Sequence, residues 1–289
     1  MKTIFFILFS LMFLHSNAAG ILPHPERADA EQAVQDVVRR FTDGQLPVKV
    51  SLSLSPTEDG RDVYEYSVRR GKLCISASSG VAACRAFYDY VKQKGAGIAS
   101  WSGNRFEMPE NLETEFRRVV SPYRHHQYLN VVTYGYTMPF WDEARWDREI
   151  DWMALHGVDM PLVMLAQEQV YREVFRDMGL SDAEIDEWET GPAHLPWMRM
   201  GNLAGNSFDG PLGRNWHERQ VALCHHVLER MRALGMKPIC PAFAGFVPPA
   251  FSRHHGVQTV LTGWDWVPTE CRNHRLDPRS EAFAEVGTR

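Results

Sequence analysis

From Tyr123 onward, segments of strand character alternate with long amphipathic helices, and this alternation constrains the fold more than any other feature of the chain. A first strand is expected around His125 to Val132. Behind it, WDEARWDREIDWMALHG sets Trp146, Ile150 and Met153 on one stripe, and Gly157 supplies a stop. A second strand is expected over Val158 to Leu165, then a helix from Gln167 to Met178 and an irregular stretch from Gly191 to Asn215. The next helix, NWHERQVALCHHVLERMRALG, takes Asn215 as N-cap and Glu218 at N3, with Val221, Cys224, Leu228 and Met231 inward. Third and fourth strands are short, Pro238 to Phe243 and Gln258 to Thr262. Pro161, Pro238 and Pro241 lie in or beside these strands, where each removes a ladder donor.

Strands separated by crossover helices make a parallel sheet. No glycine-rich phosphate loop follows the first strand and no G-x-G-x-x-G occurs, which favours a (β/α)8 barrel over a flavodoxin-like doubly wound sheet. A complete barrel uses about 250 residues and eight strands, whereas four strands are readable here, and SEAFAEVGTR, capped by Ser280, begins a helix without completing its amphipathic run. The expected fold class is α/β: a small N-terminal α/β domain followed by the first half of a truncated (β/α)8 barrel.

Ahead of Tyr123 the texture differs. The segment Ala28 to Phe41 places Ala30, Val34, Val37, Val38 and Phe41 at helical spacing. Val48 to Leu54 alternates, Val63 to Val68 is aromatic and β-branched, and Lys72 to Ser76 follows a turn at Arg70-Gly71, so a β-meander is expected. The helix SGVAACRAFYDYVKQKG, from Ser79-Gly80 to Gly95, covers it through Val81, Cys84, Tyr88 and Val91. The N-terminus itself reads as a secretory signal: Lys2, an apolar run from Ile4 to Leu14, and the small-residue stretch Ser16-Asn17-Ala18-Ala19. The expected organisation is a signal peptide over residues 1–18, an N-terminal domain over 22–118 and the incomplete barrel over 119–289, in a protein secreted or delivered to a periplasm.

The net charge of −5 and the lack of a dense Lys/Arg run leave no electrostatic footprint for nucleic acid. Past the first 20 residues no apolar stretch reaches membrane-spanning length. Five cysteines (Cys74, Cys84, Cys224, Cys240, Cys271) lie far apart with no C-x-x-C, so they are read as buried small hydrophobes and not as a zinc site or disulfide framework. Nine tryptophans suit stacking on pyranose C–H faces as well as burial in a core.

Barrel chemistry sits at the C-terminal ends of the strands. The residues there are Asn130, Thr133, Tyr134 and Tyr136 after strand one, Gln167 and Glu168 after strand two, Phe243 and Phe246 after strand three, and Trp264-Asp265-Trp266 after strand four. Glycosidases need two carboxyl groups about the scissile bond, and by position alone Glu168 and Asp265 are the candidates, although Glu168 also suits the first turn of its helix. The loop GPAHLPWMRMGNLAGNSFDGPL is expected to fold over a sugar pocket, with Trp197 as a stacking wall and Asn202 as a hydrogen-bonding group.

Several long strings carry a resemblance: YRHHQYLNVVTYGY, FWDEARWDREIDWMALHGVDMPLVMLAQEQVY, TGPAHLPWMRMGNL with DGPL, GMKPICPAFAGFVP, and, earlier, SGVAACRAFYDYV with ASWSG. In this order, over roughly Gly80 to Trp266, they resemble the α-N-acetylglucosaminidase family, glycoside hydrolase family 89. The resemblance implies exo-acting removal of terminal α-linked N-acetylglucosamine from glycans by a retaining mechanism with two glutamates, with no metal or organic cofactor. It also implies that Asn130, Tyr136, Gln167, Glu168, Trp197, Asn202 and Trp264 line or shape the pocket. Val132 stands where family members have cysteine in N-V-C-T. The family's acid/base glutamate belongs to a D-T-F-N-E motif and its nucleophile to P-E-G-I-S-Q, and neither string occurs here. On the resemblance, Glu168 and Asp265 are therefore not the catalytic pair, and the catalytic glutamates are expected beyond Arg289. Two other readings stay open: a non-catalytic glycan-binding remnant, and another barrel glycosidase with a hexosaminidase-like N-terminal domain. The glycan partner and the oligomeric state are not encoded in any motif.

Overall fold

The structure, a computed structural model, describes residues 26–114 and 116–289; the expected signal segment, residues 1–18, lies outside them. Helix α1 (Arg27–Thr42) buries Ala30, Val34, Val37, Val38 and Phe41 on one stripe, as its spacing requires. Strands β1 (Val48–Ser51), β2 (Val63–Arg69) and β3 (Lys72–Ala77) follow. Helix α2 (Gly80–Gln93) comes next, its N-terminus capped by the Ser79 hydroxyl, which accepts from the Ala82 N–H at 3.0 Å. A hairpin, β4 (Gly97–Ser100) and β5 (Gly103–Phe106), and the strand β6 (Arg117–Val120) complete this region.

The sheet order is β1-β3-β2-β6. A meander is thus corrected: β2 and β3 are an antiparallel hairpin, closed at Arg70-Gly71 where both residues have positive φ, but β1 runs parallel to β3 on its far side. The connection from β1 to β2 is too long to be a hairpin loop, which frees β1 to dock where its apolar face meets α1. Helix α2 is buried on nearly every side because the sheet lies beneath it and helices of the following region lie above. Gly80 sits so close to the Leu234 carbonyl oxygen that a Cβ there would stand 2.5 Å away.

The second region begins with β7 (Gln127–Tyr128), α3 (Thr133–Tyr136), α4 (Glu143–His156), β8 (Met160–Pro161) and α5 (Gln167–Asp177). It continues with α6 (Asp182–Trp188), α7 (Leu195–Arg199) and α8 (Trp216–Ala233). Last come β9 (Phe246–Val247), α9 (Pro249–His255), β10 (Val260–Thr262), a 3-10 turn at Thr269–Cys271, β11 (Asn273–Arg275) and α10 (Glu281–Thr288). Helix α4 behaves as its sequence reads, with Trp146, Ile150 and Met153 fully buried and Gly157 ending it in the left-handed conformation; the structure adds an N-cap at Asp142, whose side chain accepts from the Arg145 N–H.

The first three expected strands run side by side and parallel. Strand β7 pairs with β8, and a bridge from Leu162 to Ile239 carries the ladder to the third segment. Their regular pairing is shorter than expected, two residues in β7 and β8 and a single bridge at Ile239, since Pro161 and Pro238 cannot donate. The fourth departs from expectation. Strand β10 lies in a separate antiparallel sheet, β10-β11-β9, with Val260 opposite Arg275. No closed barrel forms among the described residues, and the chain is a mixed α/β fold.

Three local expectations also change. The Gly191 to Asn215 stretch contains α7, and α6 precedes it with a capping box at Ser181 and Glu184, both helices being too short to show a stripe in sequence. Asn215 stands at the N-cap of α8 but makes no side-chain cap bond, and the buried stripe is Leu223, Val227 and Met231, with Cys224 and Leu228 only partly covered. Of the cysteines, Cys84 and Cys271 are buried, Cys74 and Cys224 half-buried, and Cys240 exposed, the third segment being bridged only to the second among the described residues.

The two regions share one hydrophobic cluster running from Ala33 to Met236. Around it, the Arg40 guanidinium holds Asp151 through two bonds of 2.7 and 2.8 Å, and Arg230 bridges Asp151 and Asp147. Trp101, on the β4–β5 turn, donates its indole N–H to Glu149 of α4 at 3.1 Å. Burial pushes the Glu149 carboxyl above its usual range while Arg145, 3.0 Å away, opposes the shift. These largely half-buried pairs, with Glu149 alone fully buried, link α1 and the β4–β5 turn to α4 and α8.

Candidate functional site

At the ends of the first two parallel strands the backbone turns through left-handed, non-glycine residues: Leu129 (φ 75°) before Asn130 and Ala166 (φ 60°) before Gln167. A left-handed Leu is costly, on the order of 1–3 kcal/mol, and persists where surrounding structure dictates it. Asn130 is exposed, and its Oδ1 accepts from both the N–H and the hydroxyl of Thr133 at 3.0 Å, tying down the start of α3. That short helix delivers Tyr136. Gly135 lets α3 lie against α7, since a Cβ there would stand 2.6 Å from the Ala193 carbonyl oxygen and 2.7 Å from Pro196.

Helix α7 carries Trp197 toward Tyr136. The Trp197 indole N–H donates to the Tyr136 hydroxyl at 3.1 Å, and the rings meet edge to face at 5.9 Å. On its other side Trp197 packs against Trp264 at 5.0 Å. Asn202 joins these two tryptophans through its backbone: its N–H donates to the Trp197 carbonyl at 2.9 Å and its carbonyl accepts from the Trp264 N–H at 3.1 Å. The expected side-chain role for Asn202 is thus preceded by a main-chain one. Gly263 (φ 152°) permits the approach, because a Cβ there would lie 2.9 Å from the Asn202 carbonyl oxygen.

Sequence reasoning missed the residue that anchors this loop. Asn273 is fully buried; its Oδ1 accepts from the Trp188 indole at 2.9 Å and its amide donates to the carbonyls of Met198 (2.8 Å) and Leu203 (3.3 Å). No local pattern marks it, since its partners lie 70 to 85 positions away. Arg199 was missed as well. It donates twice to Oε1 of Glu168, from Nε at 2.8 Å and Nη2 at 2.6 Å, both side chains being almost wholly buried.

Four of the seven expected residues, Tyr136, Trp197, Asn202 and Trp264, therefore form one wall, and Glu168 joins it from behind through Arg199. Gln167 does not join. It donates to the Tyr171 hydroxyl at 2.7 Å, its Oε1 is buried without a hydrogen-bond partner, and it lines a different cavity of about 330 Å³ with Val163, Leu165, Cys224, Cys240 and Phe243. Burial pushes the Tyr171 hydroxyl up to about 12. A cavity of about 880 Å³ between the starts of α4 and α8, beside Phe140, Trp141, Arg214, Trp216 and Arg219, is lined by none of the seven. Asp265, the other positional carboxylate, is exposed between Trp264 and Trp266.

Residues 125–289 match the tim-barrel domain of the alpha-N-acetylglucosaminidase (NAGLU) family, and residues 32–112 match its N-terminal domain. The chain is 37% identical to human alpha-N-acetylglucosaminidase over 275 residues, 91% of this chain and 36% of that protein. It superimposes with a TM-score of 0.81 on a family 89 glycoside hydrolase from Clostridium perfringens in complex with 2-acetamido-1,2-dideoxynojirmycin, at 27% identity over 91% of this chain and 30% of that one. The same score, at 28% identity over 90% and 30%, relates it to a Clostridium perfringens family 89 variant with two glutamates changed to glutamine, in complex with its substrate GlcNAc-alpha-1,4-galactose. The chain spans about a third of the length of these relatives.

Proposed function

The chain belongs to the alpha-N-acetylglucosaminidase family, and from that premise we propose that it recognises a terminal α-linked N-acetylglucosamine with the wall built from Tyr136, Trp197, Asn202 and Trp264. In this reading residues 22–118 are the N-terminal α/β domain and 119–289 the first half of a (β/α)8 barrel. The observation that carries it is the wall itself. Three aromatic rings, locked by the Trp197–Tyr136 hydrogen bond and by the backbone of Asn202, stand beyond the ends of the parallel strands where barrel sites form. Indole and phenol faces meet the C–H face of a pyranose, and exposed amides such as Asn130 suit its hydroxyl and acetamido groups.

The proposed reaction is that of a retaining exo-glycosidase, in which one carboxyl group protonates the leaving oxygen while a second attacks the anomeric carbon, forms a covalent glycosyl intermediate and is then released by water. This chain contributes orientation of the sugar. Glu168 is sealed in its pair with Arg199, and the family's two glutamate motifs are not within these 289 residues. Those glutamates are accordingly proposed to lie in sequence beyond Arg289.

Trp197→Ala is the direct test. Loss of one stacked indole should weaken binding of an α-N-acetylglucosaminide about five-fold, an aromatic contact being worth on the order of 1 kcal/mol. The thermal midpoint should move little. Unchanged affinity measured by titration calorimetry, or collapse of the fold, would favour a packing role for Trp197.

We also propose that the chain is exported and cleaved near Ala18, on the strength of its apolar run and small-residue stretch. Intact-mass measurement of secreted protein should show Met1 to Ala18 missing, and their retention would refute cleavage.

A further inference from the structure

The aromatic wall is longer than one terminal sugar requires. Beyond Trp264 it continues to Trp266, whose ring lies 5.5 Å from that of Trp264 and within 23° of parallel to it. The Phe208 ring meets Trp266 edge to face at 6.3 Å. Tyr136 and Trp266, the two ends of the series, are 68% and 67% exposed. Isolated apolar side chains on a surface need no explanation, but a contiguous aromatic ridge open to water marks a binding surface.

The turn that presents Trp266 is rigid. The Val267 N–H donates to the Trp264 carbonyl at 3.0 Å, and Val267 itself is buried. The Arg272 guanidinium donates to the carbonyls of both Val267 and Asp265 at 3.1 Å, clamping the turn from beneath. Trp266 therefore extends from a backbone that is already hydrogen-bonded in place before binding. Asp265, exposed between the two tryptophans, adds a carboxylate able to accept from sugar hydroxyls.

We infer that Trp266, braced by Phe208, is the platform for the second sugar of the glycan, the pyranose that leaves when the terminal N-acetylglucosamine is removed. The inference rests on the wall from Tyr136 to Trp264 holding the terminal residue. One ring-sized step along the ridge then brings the next sugar over Trp266, and the turn's fixed geometry selects ligands that continue past the terminal residue over those that end there.

The test compares two probes on the full 289-residue chain: the disaccharide GlcNAc-α-1,4-galactose and methyl α-N-acetylglucosaminide, which lacks a second ring. Trp266→Ala should weaken the disaccharide about five- to ten-fold and leave the methyl glycoside unchanged, whereas Trp266→Tyr should keep most of the affinity. Trp197→Ala should weaken both alike. If the wild-type chain binds the two probes equally, or if Trp266→Ala leaves the disaccharide untouched or weakens both equally, the platform is refuted while the wall stands. If the wild-type chain binds neither, the wall and the platform fall together.

Discussion

Incubated with a chromogenic α-N-acetylglucosaminide, the 289-residue chain should release no aglycone above the uncatalysed rate while still binding the sugar. Retaining hydrolysis needs two carboxyl groups about 5–5.5 Å apart on either side of the glycosidic bond. The carboxylates near the wall do not meet this requirement. Glu168 is 2% exposed and gives Oε1 to two bonds from Arg199, so no leaving-group oxygen can come within hydrogen-bond reach of it. Asp265 sits on the exposed rim, suited to a hydroxyl of a bound glycan. General acid catalysis alone contributes a factor of about 10² to 10⁴, and the covalent step adds to it, so the expected outcome is absence of turnover and not a modest reduction. Human alpha-N-acetylglucosaminidase assayed alongside gives the positive control. Turnover by this chain that disappears in Glu168→Gln would place the chemistry on Glu168 and overturn the proposed division of labour.

The parts of the fold that were legible in sequence are those set by local chemistry. The stripe of α4 and its Gly157 stop lie within one stretch of chain, and the structure reproduces both. What could not be read is which strand lies beside which. The alternation in Val48 to Ser51 specifies a strand with one buried face, but its place beyond β3 depends on the long connection to β2 and on where α1 packs. Similarly, Val260 to Thr262 reads as a strand, yet its partner Asn273 to Arg275 follows only after a turn that has no strand signal of its own. At the site the same distinction holds. Trp197 stands out from its aperiodic loop and Trp264, with Trp266, from its place after the fourth strand, and Trp197 and Trp264 meet. Arg199 and Asn273 gain their roles from residues brought together by tertiary structure, so no spacing rule exposes them. Gln167, adjacent to Glu168 in sequence, faces another cavity, because successive residues of a helix point about 100° apart.

Glu168→Ala should destabilise the chain by about 3–5 kcal/mol, since it leaves the Arg199 guanidinium buried without its counter-charge. For a protein of this size that corresponds to a fall in thermal midpoint of roughly 10 °C. The same change should also loosen sugar binding, but indirectly: Arg199 belongs to α7, two residues from Trp197, and the pair with Glu168 is what ties that helix to α5. A residue that touches substrate would give the opposite pattern, with affinity lost and stability kept or raised. The double variant Glu168→Met with Arg199→Leu separates the alternatives, because removing both charges restores an apolar contact and should recover most of the stability, and with it the affinity. Thermal and urea unfolding of the wild type, the single variants Glu168→Met and Arg199→Leu and the double variant, with sugar titration of each, closes the cycle. A Glu168→Ala midpoint within about 2 °C of wild type would mean that Arg199 finds water or another acceptor and that the buried pair does not anchor the wall.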